Sequence, residues 1–239
     1  MKKIYTLFTV LLSIIFVNQL QSQISTTVTA SPAIICANST SMLQVTASLA
    51  APAYCQPVYS NGSGFGDYID QVDLNTLTNL TGPNPSPFYT LYPQSGTTTT
   101  MLNAGSTYSL IVKTGTYSLN DVAGWIDFNQ NGILNDATEK LGETDNLGAG
   151  GIATLVFTVP SGALNGTTTL RIREMDHGGT NDMDPCLAQS TFGETEDYKI
   201  TITGGVSPSF TYSWSPAAFL SSTSGPIVST SNADRKSVV

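Results

Sequence analysis

Apolar residues in this chain recur at every second position rather than at the three-to-four spacing of a helix face. Leu43, Val45 and Ala47 alternate with Gln44 and Thr46, and Tyr108, Leu110 and Val112 with Ser109, Ile111 and Lys113. Leu155, Phe157 and Val159 form another set. So do Leu170 and Ile172 between Arg171 and Arg173, Tyr198, Ile200 and Ile202 between Lys199 and Thr201, and Phe210, Tyr212 and Trp214. Each run is short and bounded by Gly, Pro or Asn clusters, as at residues 61–64, 82–85, 146–151, 178–179 and 204–205. Period two with frequent turn residues predicts many short strands in a β-sandwich or jelly roll, an all-β fold.

The first residues break that pattern. Lys2 and Lys3 precede an apolar run over 4–17, then polar residues and a small Ser22 that suits peptidase cleavage before Gln23. The run is short for a membrane span, so residues 1–22 read as an export signal with no membrane insertion after cleavage. The expected location is secreted or cell-surface. An uncleaved anchor is the other reading. The full chain has 9 basic and 17 acidic residues. Loss of Lys2 and Lys3 takes the balance to −10, which argues against nucleic acid as a partner. Charged residues make up only 11%, against about 25% in ordinary soluble domains. Thr, Ser, Gly and Asn cover the surface instead, a composition that suits extracellular β modules.

The two ends of the chain share a style that differs from the middle. Residues 24–49 resemble the opening strands of immunoglobulin-like repeats of Bacteroidetes surface proteins, and residues 207–233 resemble the middle strands of the same repeat, with Trp214 in its core. On this reading a second domain, residues 50–204, is inserted into an incomplete first one. A single continuous sandwich is the alternative. The middle segment carries Gly193-Glu194-Thr195-Glu196-Asp197-Tyr198, close to the signature of the GEVED domain. Tyr54-Cys55, the strand at 69–74, Trp125-Ile126-Asp127-Phe128-Asn129-Gln130-Asn131-Gly132, Leu170-Arg171-Ile172-Arg173 and Pro185-Cys186 fit the family in order. The resemblance implies a β-sandwich accessory domain of secreted Bacteroidetes proteins with no established activity of its own. The family often has Asp where this chain has Asn131. Cys55 and Cys186 bracket the inserted domain and are expected to form its disulfide, which leaves Cys36 as the odd cysteine.

Apart from any family, Asp127-x-Asn129-x-Asn131-Gly132 is the beginning of a calcium loop. Alternate oxygen-bearing side chains turn toward a hard cation and Gly132 allows the sharp turn. Ile133 can add a carbonyl oxygen, and Asn135 or Asp136 comes next. Glu139 lies one residue beyond the place of the bidentate glutamate in an EF-hand. Asn in place of Asp at Asn131 lowers the charge, so calcium is expected to bind weakly, on the order of 10⁻⁴ M or poorer. The ion-free alternative is a cluster of Asx turns.

Glu194, Glu196 and Asp197 invite an acid/base reading, but Arg171 and Arg173 on a neighbouring strand offer bidentate partners, and a structural ion-pair network is expected. His177 is the only histidine, in a Gly-rich loop made acidic by Asp176, Asp182 and Asp184, where a second calcium site is conceivable. Tyr59, Phe65, Tyr68, Tyr89, Tyr92 and Trp125 could stack on sugar rings if exposed together. The expected function is therefore a non-catalytic extracellular binding or adhesion module with a glycan or protein ligand, the alternative being a carbohydrate-binding accessory domain of a secreted hydrolase.

Residues 234–239, Asp-Arg-Lys-Ser-Val-Val, are what a widely used sequencing adapter encodes in one frame before its stop codon. The natural protein is expected to run on past Ala233. Resequencing this junction from genomic DNA is expected to show an open frame there, and recovery of the six codons and the stop would refute it.

Overall fold

The computed structural model describes residues 11–13, 24–32, 40–176, 182–188, 191–215, 217–218 and 220–230. Cys36, His177, the expected cleavage site before Gln23 and the tail at 234–239 lie outside the described residues. The chain divides into two compact units: Met1–Ala51 with Pro208–Val239, and Pro52–Ser207. Among the described residues no helix is long and apolar enough to cross a membrane, which says nothing of a β-barrel.

In the first unit β1 (Leu11–Ser13), β2 (Ile24–Ser31) and β3 (Met42–Leu49) come from the N-terminal part. The second unit supplies β4 (Ile69–Leu74), β5 (Leu77–Leu80), β6 (Tyr89–Tyr92), β7 (Met101–Asn103), β8 (Thr107–Thr114), β9 (Asn120–Ile126), β10 (Lys140–Leu147), β11 (Ile152–Thr158), β12 (Gly166–Met175) and β13 (Gly193–Thr203). The chain then returns to the first unit for β14 (Ser213–Ser215) and β15 (Ile227–Ser229).

The first unit is small. Its three-stranded sheet runs β15-β3-β2, and β1 pairs with β14. Leu43, Val45 and Val228 pack with Trp214, which is 2% exposed and donates its indole N–H to the Gly225 carbonyl at 2.8 Å. The alternation over 210–214 yields a strand only from Ser213 onward.

The second unit is a β-sandwich. One sheet has the order β10-β9-β12-β13-β6, with β7 also pairing with β13, and the other β11-β8-β4-β5. β6 and β7 lie parallel to β13, and every other pairing in the two sheets is antiparallel. Between the sheets, Val72, Leu110, Val112 and Leu155 of one meet Val122, Ile126, Leu170, Ile172, Ile200 and Ile202 of the other. β8 and β11 show the classical half-buried pattern, their Leu110, Val112, Leu155 and Phe157 inward and Ser109, Ile111, Thr154 and Val156 outward.

The six-stranded sheet is covered on both faces. A second cluster on its outer side joins Ala123, Trp125 and Met175 of the sheet to Tyr59, Leu134 and Met183 of flanking segments, with Tyr54 and Phe88 against it. This explains why every position of β9 is buried and why no alternation marks that strand in the sequence. The Cys55–Cys186 disulfide fastens the covering layer, joining the segment before β4 to the segment before β13 across 131 positions. Closing so long a loop removes conformations from the unfolded chain worth about 3–5 kcal/mol in the entropic account. Replacing both cysteines by serine is expected to lower the unfolding free energy by about that amount, read as a shift of the urea midpoint to lower concentration.

Candidate functional site

Strand parity divides the Gly193–Tyr198 segment between two environments. Glu194, Glu196 and Tyr198 point between the sheets, while Thr195 and Asp197 point to the covered outer face with Arg171 and Arg173 of β12. Gly193 opens the segment at φ 125°, and a Cβ there would run into the Glu174 carbonyl, so glycine alone fits.

On the outer face, Arg171 makes a bidentate pair with Asp197, Nε to Oδ1 at 2.8 Å and Nη2 to Oδ2 at 2.7 Å, with both side chains essentially unexposed. The same guanidinium donates to the carbonyls of Pro185 (2.8 Å) and Cys55 (2.7 Å). Tyr89 adds its hydroxyl to Asp197 at 2.7 Å. Burial by itself lowers the Arg171 pKa, but the hydrogen bonds and charge of Asp197 reverse this and leave it raised. Arg173 reaches the Tyr59 hydroxyl at 2.8 Å and the carbonyls of Asp184 and Leu187. The expected network of Arg171 and Arg173 with all three acids therefore needs correction. Asp197 pairs with Arg171, but Glu194 and Glu196 face the opposite side of the sheet from both arginines.

Glu194 instead accepts the backbone N–H groups of Ile69 (2.7 Å) and Asn84 (2.9 Å), one on each oxygen. Glu196 accepts Asn84 Nδ2 and the Tyr92 hydroxyl, both at 3.1 Å, and the Tyr198 hydroxyl at 2.7 Å. Tyr92 and Tyr198 stack with ring centroids 4.7 Å apart. Both glutamates are 0% exposed. Burial raises the pKa of each, Glu194 to about 8 with the charge of Glu196 adding to the shift, and Glu196 to about 7.

The loop between β9 and β10 sits against the outer cluster. Asp127, just past β9, is anchored through its backbone N–H to the Thr169 carbonyl and by the Thr168 hydroxyl, which donates to the Asp127 carbonyl. Its Oδ1 accepts the Asn131 N–H at 3.1 Å; its Oδ2 accepts the Gly132 N–H at 2.9 Å and the Tyr54 hydroxyl at 2.7 Å. Asn129 Oδ1 also accepts the Asn131 N–H at 3.0 Å, and Asn131 Oδ1 the Ile133 N–H at 2.7 Å. These are Asx-type turns. The two amide groups converge on Asp136 Oδ2, from Asn129 at 2.7 Å and Asn131 at 2.9 Å. Gly132, at φ 85°, runs so close to Pro52 that a Cβ would approach to 2.9 Å.

Glu139 completes the group. It is 1% exposed, its Oε1 accepts the Asn129 N–H at 3.4 Å, and its Oε2 has no hydrogen-bond partner. Burial, then the charges of Asp127 and Asp136, raise its pKa to about 8. The loop thus collects Asp127, Asn129, Asn131, Asp136 and Glu139, with Ile133 partly exposed at its tip. Among the described residues, no three Asp, Glu, His or Cys side chains stand close enough to cage an ion as they are placed. The donor set is all oxygen with one bare buried carboxylate oxygen, which fits a hard cation once the asparagine amides turn their oxygens inward. An open depression of about 330 Å³ lies beside the loop, bounded by Asp136, Lys140, Asp182 and Met183.

The aromatic residues do not form a stacking platform. Tyr59 and Trp125 are buried, Tyr92 is stacked on Tyr198 and Tyr89 is bonded to Asp197. Phe65 is widely exposed and meets Phe192 edge-on at 5.2 Å. The covering layer of the outer face was not legible in the sequence, and it is what hides Tyr59 and Trp125.

Residues 121–201, from the start of β9 into β13, match the family model described as the GEVED domain. The match takes in both the Asp127 loop and the Gly193–Tyr198 segment. No curated protein matches the chain.

The buried glutamates set a pH dependence. An unfolded glutamate titrates near pH 4.3, whereas Glu194 and Glu196 are raised to about 8 and about 7 in the fold. Between those limits the folded chain holds protons that the unfolded chain has released, so stability is fully present at pH 4 and lost as pH rises through 7 to 8. Without added divalent ions, the melting temperature is expected to fall by roughly 5 °C or more between pH 5 and 8.5, and Glu196→Gln to flatten that slope.

Proposed function

We propose that the chain is a non-catalytic binding or adhesion module of an exported, cell-surface or secreted protein, its sandwich stabilised by calcium at the Asp127–Glu139 loop. The observation that carries the calcium reading is the bare, buried Glu139 Oε2 facing the charges of Asp127 and Asp136. A buried carboxylate oxygen without a donor is costly unless a cation or proton meets it. Calcium accepts six to eight oxygen ligands in irregular geometry, which a loop of one-residue spacing and backbone carbonyls can supply. Asp127, Asn129, Asn131, Asp136 and Glu139 would hold it and Ile133 would add its carbonyl. The ion would lock the β9–β10 connection against the outer cluster.

The binding reading is supported by what the acids of the Gly193–Tyr198 segment do. Glu194 and Glu196 are enclosed between the sheets with backbone, amide and hydroxyl donors, and Asp197 is taken by Arg171 and Tyr89. A glycosidase pair needs two carboxyl groups flanking an accessible bond. The disulfide and the Thr- and Ser-rich exposed strands suit an oxidising, extracellular setting. The small three-stranded sheet of the first unit, with Trp214 in its core, supports the immunoglobulin-like reading of residues 24–49 and 207–233.

Calorimetric titration of the chelator-treated chain is expected to show calcium binding on the order of 10⁻⁴ to 10⁻³ M, and Asp127→Asn with Glu139→Gln to remove the loop's share of the heat. An unchanged isotherm in that variant would sink the loop assignment. On a glycan panel the chain is expected to release no product, and any hydrolysis would overturn the non-catalytic reading.

A further inference from the structure

At the opposite end of β12 from the Asp127 loop, the interior of the sandwich holds a second acidic group. Glu174 lies on the inner face of β12, in register with Val122 on one side and Glu194 on the other. It is 0% exposed, and neither of its carboxylate oxygens has a hydrogen-bond partner. Asp67, just before β4 in the facing sheet, is also 0% exposed with both oxygens unpartnered. Asn120, on β9 two residues before Val122, is 0% exposed and its Oδ1 is bare, although its Nδ2 donates to the carbonyls of Tyr117 and Leu147.

The backbone draws these three together. Tyr117, bonded by Asn120, donates its own N–H to the Gly66 carbonyl next to Asp67, and Gly115 donates to the Tyr68 carbonyl on its other side. The charges that act on Glu174 are those of Asp67, Glu194, Asp176 and Asp121, all carboxylates. Glu194 is satisfied by backbone N–H groups, and Asp121 accepts the Asn146 N–H at 2.7 Å. Five enclosed oxygen atoms on Glu174, Asp67 and Asn120 are left without donors.

A proton resolves this only in part: shared between Glu174 and Asp67 it meets two of the five oxygens and leaves the others bare. Two unscreened buried carboxylates cost far more than the fold's margin unless a counter-charge joins them. The donors are oxygen only, carboxylate and amide, which excludes the thiolate or imidazole preference of zinc or copper. They come from two strands and a connecting segment, which suits the adaptable coordination of calcium better than the strict octahedron of magnesium.

We propose that Glu174, Asp67 and the Asn120 side-chain oxygen bind a calcium ion enclosed between the two sheets, with Asp176 at its rim. The ion fastens the facing sheets to each other at the end where the Gly66–Tyr68 segment and the turn after β8 meet. This site is distinct from the Asp127 loop and stands or falls separately from it.

The test counts ions on the chelator-treated full chain by native mass spectrometry in millimolar calcium. Wild type is expected to carry two. The Asp127→Asn, Glu139→Gln chain is expected to keep one ion, and Glu174→Gln with Asp67→Asn to keep one and lose its counterpart. Zero ions on the loop variant, or two on the Glu174→Gln, Asp67→Asn chain, would overturn the inference. If wild type carries a single ion, its retention in the Glu174→Gln, Asp67→Asn chain overturns this site and leaves the loop standing, while its loss there does the reverse. Should the double exchange not fold, Asp67→Asn alone is read the same way, with a calcium affinity reduced at least tenfold expected for one of the two ions and an unchanged pair of affinities counting against the site.

Discussion

The Arg171–Asp197 pair is the contact on which the second unit's architecture depends. A guanidinium and a carboxylate on adjacent strands would be a minor surface feature if the sheet faced water. Here both are withdrawn from solvent, so each must have nearly all of its hydrogen-bonding capacity met. The remaining donors of Arg171 go to carbonyls at Cys55 and Pro185, on the two segments that the disulfide joins. The ion pair and the covalent bridge therefore hold the same covering layer against the same strands. That layer turns a two-sheet sandwich into one whose larger sheet is buried on both faces. Loss of either partner of the pair would leave a buried charge exposed to no solvent, which is why such pairs are costly to break.

The Gly193–Tyr198 segment is better understood as a junction than as a reactive site. Alternation along β13 sends Asp197 to the arginine and Glu194 and Glu196 to the interior, so one short stretch fastens both sides of the sheet. Glu194 caps the backbone of the segments leading to β4 and β6, and Glu196 organises Asn84 and two stacked tyrosines. Acidic residues suit this work because a carboxylate offers several acceptor sites and can gather backbone, amide and hydroxyl donors at once. Their raised pKa values record the burial that this arrangement demands.

Interior acidity also frames the cation readings. The chain is acidic overall, and several of its carboxylates lie in the core instead of on the surface. Glu194, Glu196 and Asp197 are met by donors, whereas Glu139, Glu174 and Asp67 retain bare oxygens. A divalent ion can supply that missing positive charge where lysine and arginine are scarce.

Much of the fold was legible in the sequence. Period-two alternation and turn clusters determined an all-β sandwich, because a strand with one wet face must alternate, as β8 and β11 do. Cys55 and Cys186 could be paired because they bracket the inserted middle segment, and the Asp127–Gly132 spacing picked out the loop whose side chains converge on Asp136. What only the tertiary structure decided follows from burial. β9 is covered on both faces and β10 is polar along an edge, so alternation marks neither strand. Arg171 and Arg173 look like a solvent face until the segments around Tyr59 and Met183 are laid over them. The group of Glu174, Asp67 and Asn120 has no sequence signature at all. Its members come from three distant stretches, and only the register of β12 with β9 and β13, and the turn that ties Tyr117 to Gly66, places them at the same end of the sandwich.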